Sequence, residues 1–223
     1  MVGAARGYKR RFRHPMTLIL ASTSPRRREI LALLGLPFEV IAPPFEEQIS
    51  PALSIYDEVR GFAIGKARSV ALNHPEAIVI GSDTMISLDG AKLGKPGTFA
   101  DARRMLQALS GKTHRIYTAV AVVDGAAGCG LNTVEEVSVK MWPFSEKEID
   151  MYLATNESLD KAGAYSIQGR GATLIEAISG DFLAAVGLPL KPIADFLASR
   201  DIVFSLDVDQ LYADKSFLNW RNF

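Results

Sequence analysis

The chain has 223 residues, 48% of them hydrophobic, enough to bury the core of one large domain or a two-lobed one. Its 25 basic residues balance 25 acidic ones, so there is no general nucleic-acid footprint and no stable nucleic-acid partner is expected. Cys129 is the only cysteine, no apolar run reaches the length of a membrane span, and the N-terminus lacks a signal-peptide core; a soluble protein of the reducing cytoplasm is expected.

Charge is uneven at the start. Residues 1–15 carry Arg6, Lys9, Arg10, Arg11 and Arg13 and no acid; without them the count is 20 basic to 25 acidic, about −5. A solvated tail, an anionic-surface binder and an organelle presequence all fit such an arm. Because Met16 stands directly before the first strand pattern, we set residues 1–15 aside as a disordered basic extension upstream of a start.

The run Leu18-Ile-Leu-Ala-Ser-Thr-Ser-Pro-Arg-Arg-Arg28 then reads as a short apolar strand passing through a serine turn into a helix. Ser24 is the expected N-cap, Pro25 suits the first helical turn, and Gly35 stops the helix. Arginines in a first turn oppose the helix dipole, whereas a bound polyanion would welcome them. A solvated basic helix end is the alternative.

After Met16 strands and helices alternate, which argues for an α/β fold. Strands are expected at Thr17–Ser22, Phe38–Ala42, Ala77–Leu88, Arg115–Val123 and Thr133–Met141. Helices are expected at Pro25–Leu34, Tyr56–Asn73, Ala100–Leu109, Glu146–Ala154 and Lys191–Ser199. The run Ala77–Leu88 looks like a buried central strand, and Asp83 is its anomaly. A carboxylate among apolar residues is costly unless it is paired, hydrogen-bonded or metal-bound.

Familiar phosphate and metal signatures fail. Ser110-Gly-Lys-Thr113 resembles the end of a P-loop, but Leu106 occupies the required upstream glycine position. His14, His74 and His114 are scattered, and one cysteine cannot build a zinc site. What remains is a dispersed set: Glu46 and Glu47, Lys66, Lys95, Asp160 and Lys161. Each alone reads as a surface charge. Together they supply what phosphoanhydride cleavage needs, carboxylates for a hard cation and for water, and cations for phosphate oxygens.

Six motifs give this set an order: Ser22-Thr-Ser-Pro-Arg-Arg27, Gly81-Ser-Asp-Thr84, Gly94-Lys-Pro96, Leu109-Ser-Gly-Lys-Thr-His114, Asp160-Lys-Ala-Gly-Ala-Tyr165 and Val186-Gly-Leu-Pro-Leu190. In that order they resemble the Maf family of nucleoside triphosphate pyrophosphatases, once described as septum-formation inhibitors. The resemblance implies a domain over residues 16–200, with 201–223 as a C-terminal extension. It also implies an α/β fold shared with inosine triphosphate pyrophosphatases: an elongated, bent mixed sheet flanked by helices in two lobes, with a nucleotide cleft.

Carried over by position, Asp83 matches the family's catalytic acid, which accepts a proton from the attacking water. Ser22, Arg26, Arg27, Lys66 and Lys95 match residues that contact the triphosphate. Glu46 or Glu47 would join Asp83 at a divalent metal, Mg²⁺ or Mn²⁺. The reaction implied is cleavage of a nucleoside triphosphate to its monophosphate and pyrophosphate. Arg26, Thr84 and Gln168 resemble the branch acting on dTTP and UTP. The branch acting on 7-methyl-GTP carries an aromatic residue, a glutamine and a glutamate at those places. A nucleotide-binding regulator of septation is the reading from another class, and a homodimer is left open.

Overall fold

The computed structural model describes residues 17–125 and 128–223; the basic extension lies outside them. Its spine is β3 (Ile78–Leu88), the strand expected from the buried run around Asp83. Flanking it are β1 (Leu18–Ala21) and β2 (Glu39–Ile41) on one side, and β5 (Thr113–Asp124), β6 (Gly128–Met141) and β7 (Ile175–Ser179) on the other. The order is β2-β1-β3-β5-β6-β7, and the short β4 (Ala91–Leu93) folds back on the end of β3. Strands β2, β1 and β3 run parallel, and the remaining pairings are antiparallel, so the sheet is mixed.

Side chains alternate along each strand and divide the core into two faces. Ile78, Ile80, Ile86 and Leu88 of β3 point into the larger cluster. That cluster is closed by α1 (Pro25–Ala32), α3 (Phe99–Leu109), α4 (Glu146–Leu153), α5 (Phe182–Val186), α6 (Leu190–Ser199) and α7 (Val208–Asp214). Val79 and Met85 point the other way, onto α2 (Ile55–Ala71). The helix meets them with Val59, Phe62, Ala63, Ala67 and Val70, spaced for one face of a 3.6-residue repeat. Lys66 falls on that same apolar stripe, only 7% exposed.

Pairing along one edge of β3 is interrupted. Strand β1 covers Ile78 to Gly81 and β4 covers Ile86 to Leu88, so residues 82–85 have no strand beside them there. The gap opens just past the carboxyl end of β1, where α/β sheets characteristically leave a crevice for ligands.

Gly81 brings α2 down to this gap. A Cβ there would lie 2.4 Å from the Ala63 carbonyl oxygen and 2.7 Å from the Ala67 nitrogen, both helix backbone that cannot step aside. Gly81→Ala is therefore expected to push α2 off the sheet. Overpacking of this kind costs about 1–3 kcal/mol, roughly 2–12 °C in Tm for a chain of this size. A thermal melt checks it, and a wild-type Tm would mean that the helix yields freely.

Candidate active site

Ser22 stands one residue past β1 and organises the turn into α1. Its hydroxyl accepts the Ser24 N–H at 3.2 Å and lies 3.4 Å from a terminal nitrogen of Arg27. Ser24 holds the N-cap position, but its side chain makes no capping bond, contrary to the expected role. The serine two residues earlier has taken over the turn.

Arg27 leaves the helix start toward the gap in β3. Its Nε donates to the Gly187 carbonyl at 2.9 Å, and a terminal nitrogen donates to Thr84 Oγ1 at 3.2 Å. Thr118 of β5 gives its one hydroxyl proton to the Ala184 carbonyl at 2.7 Å. The 3.0 Å contact between Thr84 and Thr118 must then run from Thr84 as donor. A relay results: Arg27 to Thr84, Thr84 to Thr118, Thr118 to the backbone of α5. Ser82 donates to the same Gly187 carbonyl at 3.0 Å. Gly187 presents that carbonyl from φ +133°, a conformation open to glycine and strained for other residues. Burial lowers the Arg27 pKa, and the nearby Asp83 charge opposes the shift. A freely solvated helix end does not describe this arginine.

Asp83 lies between Ser82 and Thr84 and so faces the α2 side of the sheet. It is 6% exposed, and its Oδ1 accepts from Lys66 Nζ at 2.6 Å. The same ammonium lies 2.5 Å from Glu47 Oε1, so one buried lysine bridges two carboxylates. Burial raises the pKa of Asp83; the Lys66 and Arg27 charges pull it back down, and Glu47 pushes it up. That balance makes Asp83 a stronger proton acceptor than a solvated aspartate once it is ionised.

The segment bearing Glu47 is anchored at two points. Phe45 fills the notch over Gly65, where a Cβ would approach its ring to 2.2 Å, and meets Phe62 edge-on at 6.1 Å. Farther along, the Lys92 ammonium holds Glu58 at 2.7 Å and the Ser50 and Leu53 carbonyls at 2.9 and 3.0 Å, and Glu58 also accepts from the Ser50 N–H.

Other expected residues are placed less closely. Glu46 is exposed and does not share the Lys66 contact that Glu47 makes. Lys95 is exposed on the loop after β4 and makes none of these contacts, though the Gly94 carbonyl before it accepts the Gly163 N–H at 3.1 Å. The Arg26 charge is felt at Tyr152 and Asp160, whose pKa values it lowers slightly. Arg26 Nε and Gln168 Nε2 are both buried with no hydrogen-bond partner. Two such orphaned donors would each cost about 1–3 kcal/mol if left dry, so they invite acceptors from outside the chain.

The sequence model of the Maf-like protein family matches residues 17–200. The chain belongs to the Maf family. A Bacillus cytotoxicus relative named dTTP/UTP pyrophosphatase is 48% identical over 183 residues, covering 82% of this chain and 95% of its own length. A Bacillus cereus protein of the same name is 44% identical over 191 residues, covering 86% of this chain and 97% of its own. A solved nucleoside-triphosphatase, dITP/XTP pyrophosphatase of Mycobacterium abscessus, superposes with a TM-score of 0.43 at 17% identity over 83% of this chain and 95% of that one, too loosely to carry an argument.

The Maf match ends at Arg200, yet the chain continues through α7 to Phe223. Sequence reasoning about the Maf motifs also passed over Ser82, Thr118 and Glu58. A threonine within a buried β5 and a glutamate on α2 carry no motif signal. Ser82 sits inside a quoted motif, and strand alternation alone turns it to the Arg27 side. Among the described residues no helix is long and apolar enough to cross a membrane.

Proposed function

We propose that this Maf-family chain hydrolyses nucleoside triphosphates, dTTP and UTP foremost, between the α- and β-phosphates. The observation that carries this reading is Asp83, buried, raised in pKa and bridged through Lys66 to Glu47, with the Arg27 charge near enough to act on it. A binding module has no use for such a base. The names of the Bacillus relatives point to the same reaction.

In the proposed mechanism Asp83 accepts a proton from water as the water oxygen bonds to the α-phosphorus. The bond from that phosphorus to the bridging oxygen breaks, and the electron pair leaves with pyrophosphate. Arg27 and Lys66, with Lys95 and Ser22 as further triphosphate contacts, stabilise charge moving to the leaving group. The relay behind Arg27 fixes the fork before substrate arrives, so little reorganisation is needed during the reaction.

A divalent ion suits the donor set in part. Asp83 and Glu47 are hard oxygen ligands facing one point, now spanned by the Lys66 ammonium. Among the described residues no group of three or more His, Cys, Asp or Glu could hold a metal. Two carboxylates fit Mg²⁺ or Mn²⁺ if phosphate oxygens and water complete the shell, as is usual for Mg²⁺ at nucleotides. Asp83 and Glu47 would hold it, with Glu46 the less favoured donor. When bound, it would supply Lewis-acid polarisation of the phosphate oxygens.

Gln168, Arg26 and Thr84 are the residues we assign to base choice. The orphaned amide N–H of Gln168 matches a carbonyl acceptor of uracil or thymine. Pyrophosphate release with Mg²⁺ or Mn²⁺ across dTTP, UTP, ATP, GTP and 7-methyl-GTP tests the whole reading. dTTP and UTP are expected to lead. Preference for 7-methyl-GTP would overturn the base assignment alone, and no pyrophosphate from any of the five would overturn hydrolysis.

A further inference from the structure

The segment beyond α6 lies outside the family match, yet it folds onto two parts of the site. Asp207 caps α7 by accepting the Gln210 N–H at 2.9 Å, and Val208 and Leu211 bury into the larger core cluster. Tyr212 on that helix donates its hydroxyl to Asp181 Oδ2 at 2.9 Å. The other oxygen of Asp181 accepts the Ala184 N–H at 3.1 Å and caps α5. Trp220 is 7% exposed and stacks on Phe182, the first residue of α5, with centroids 5.2 Å apart and planes 12° off parallel. Phe223 stacks on the same ring at 6.0 Å, and Tyr212 meets Trp220 edge-on at 5.0 Å.

Helix α5 is short and cannot be stable alone. Its backbone nevertheless holds the site: the Ala184 carbonyl ends the relay from Arg27 through Thr84 and Thr118, and the Gly187 carbonyl takes Arg27 Nε directly. The position of the Arg27 fork therefore depends on whatever fixes α5. The C-terminal segment fixes it by an aromatic stack on its first residue and by a hydrogen bond to its cap.

The second contact is separate. Asn219, at φ +64°, donates from Nδ2 to the Ile167 carbonyl at 3.4 Å, immediately before Gln168. One short segment thus touches the element behind the phosphate-facing arginine and the residue next to the base-facing amide.

We propose that the segment from Asp207 to Phe223 is a positioning strut, in which Tyr212 and Trp220 seat α5 behind Arg27 and Asn219 seats the Ile167–Gln168 turn. This rests on the roles given above to Arg27 and Gln168. Trp220, Tyr212 and Asn219 act through those residues and are positioning residues.

Full-length Asn219→Gly, Trp220→Phe and Trp220→Ala test it. Asn219→Gly removes the amide while suiting the left-handed backbone, so its Tm is expected to stay near wild type. It should lower the ratio of kcat/KM for dTTP to that for ATP by about 3- to 10-fold, mainly through KM for dTTP. Trp220→Ala should raise KM for both nucleotides by a similar factor and lower Tm, and Trp220→Phe should restore most of the loss. Trp142 and Trp220 are the only tryptophans, so a Trp142→Phe protein reports from Trp220 alone. Its emission is expected to change when the α,β-imido analogue of dUTP binds.

Wild-type kcat, KM and nucleotide ratio in folded Asn219→Gly and Trp220→Ala, with silent Trp220 emission on saturation, would overturn the strut and leave an added packing layer. If Trp220→Ala does not fold, Asn219→Gly decides. A wild-type chain with no preference for dTTP and UTP would overturn the base reading instead, and the strut then stands or falls on the emission titration.

Discussion

Asp83→Asn is expected to lower turnover by about 100-fold or more, since a positioned general base contributes on the order of 10² to 10⁴. The amide keeps the shape of the carboxylate and can still meet Lys66, which retains Glu47 as its ionic partner. Folding and nucleotide binding should therefore survive. The pH profile adds a signature that mere loss of stability would not give. Burial raises the Asp83 pKa, so the acid limb of wild-type kcat/KM should lie above the ordinary carboxylate range, with activity gained as pH rises through it. Lys66→Met removes the largest influence holding that pKa down, and the limb should move further up in whatever activity remains. Stability runs in the opposite direction. An acid whose folded pKa exceeds its unfolded value favours the fold while protonated, and that contribution is lost as pH rises through the folded pKa. Asp83→Asn should abolish this dependence. Near-normal turnover in the folded variant would remove Asp83 from the reaction.

Much of this arrangement was legible in the sequence because it is written in local patterns. The apolar run around Asp83 fixes β3 as a buried strand. Lys66, which by itself reads as a surface charge, lies instead on the sheet-facing stripe of α2, and the 3.6-residue spacing of its apolar neighbours is the signal that could have shown it. Gly35, expected to end α1, has φ +69°. Other features had a signal that went unread. Asp89 and Gly90, at φ +51° and +85°, form the tight connection from β3 to β4, and an Asp-Gly pair between apolar runs is a strong hairpin cue. Short elements gave less. At five residues each, β7 and α5 are too brief for periodicity to separate strand, helix and loop.

The long-range part of the site was illegible for a different reason. Arg27 reaches Gly187 across 160 positions, and Ser82 reaches it across 105. The acceptor is a backbone carbonyl, which every residue has, so no side-chain pattern announces it. Ser24 shows the converse limit. It has the residue type and position of an N-cap, yet Ser22 holds the turn, because a hydroxyl aimed at both the Ser24 N–H and Arg27 serves the turn and the fork together. Local propensity yielded to the needs of the gap in β3.

The same gap frames the expected result for base choice. Gln168→Glu should reduce kcat/KM for dTTP and UTP by about 5- to 150-fold, the equivalent of roughly 1–3 kcal/mol in transition-state binding. Gln168 Nε2 is buried without a protein partner, which a folded chain tolerates poorly unless water or a ligand supplies an acceptor. A uracil or thymine carbonyl is such an acceptor. Glutamate at the same place has no proton to give at neutral pH and sets a negative oxygen against that carbonyl, so a bond is lost and a repulsion added. Discrimination built on a buried polar contact is steep for this reason. Activity toward ATP and GTP, expected to be low, should change less, because in this reading the amide gains little from those bases. Parallel kcat/KM values for dTTP, UTP, ATP, GTP and 7-methyl-GTP on both proteins provide the check, with Tm measured alongside to keep folding out of the comparison. If Gln168→Glu costs all five nucleotides equally, the amide is a structural brace of the turn, and base recognition must come from Arg26, Thr84 or the backbone.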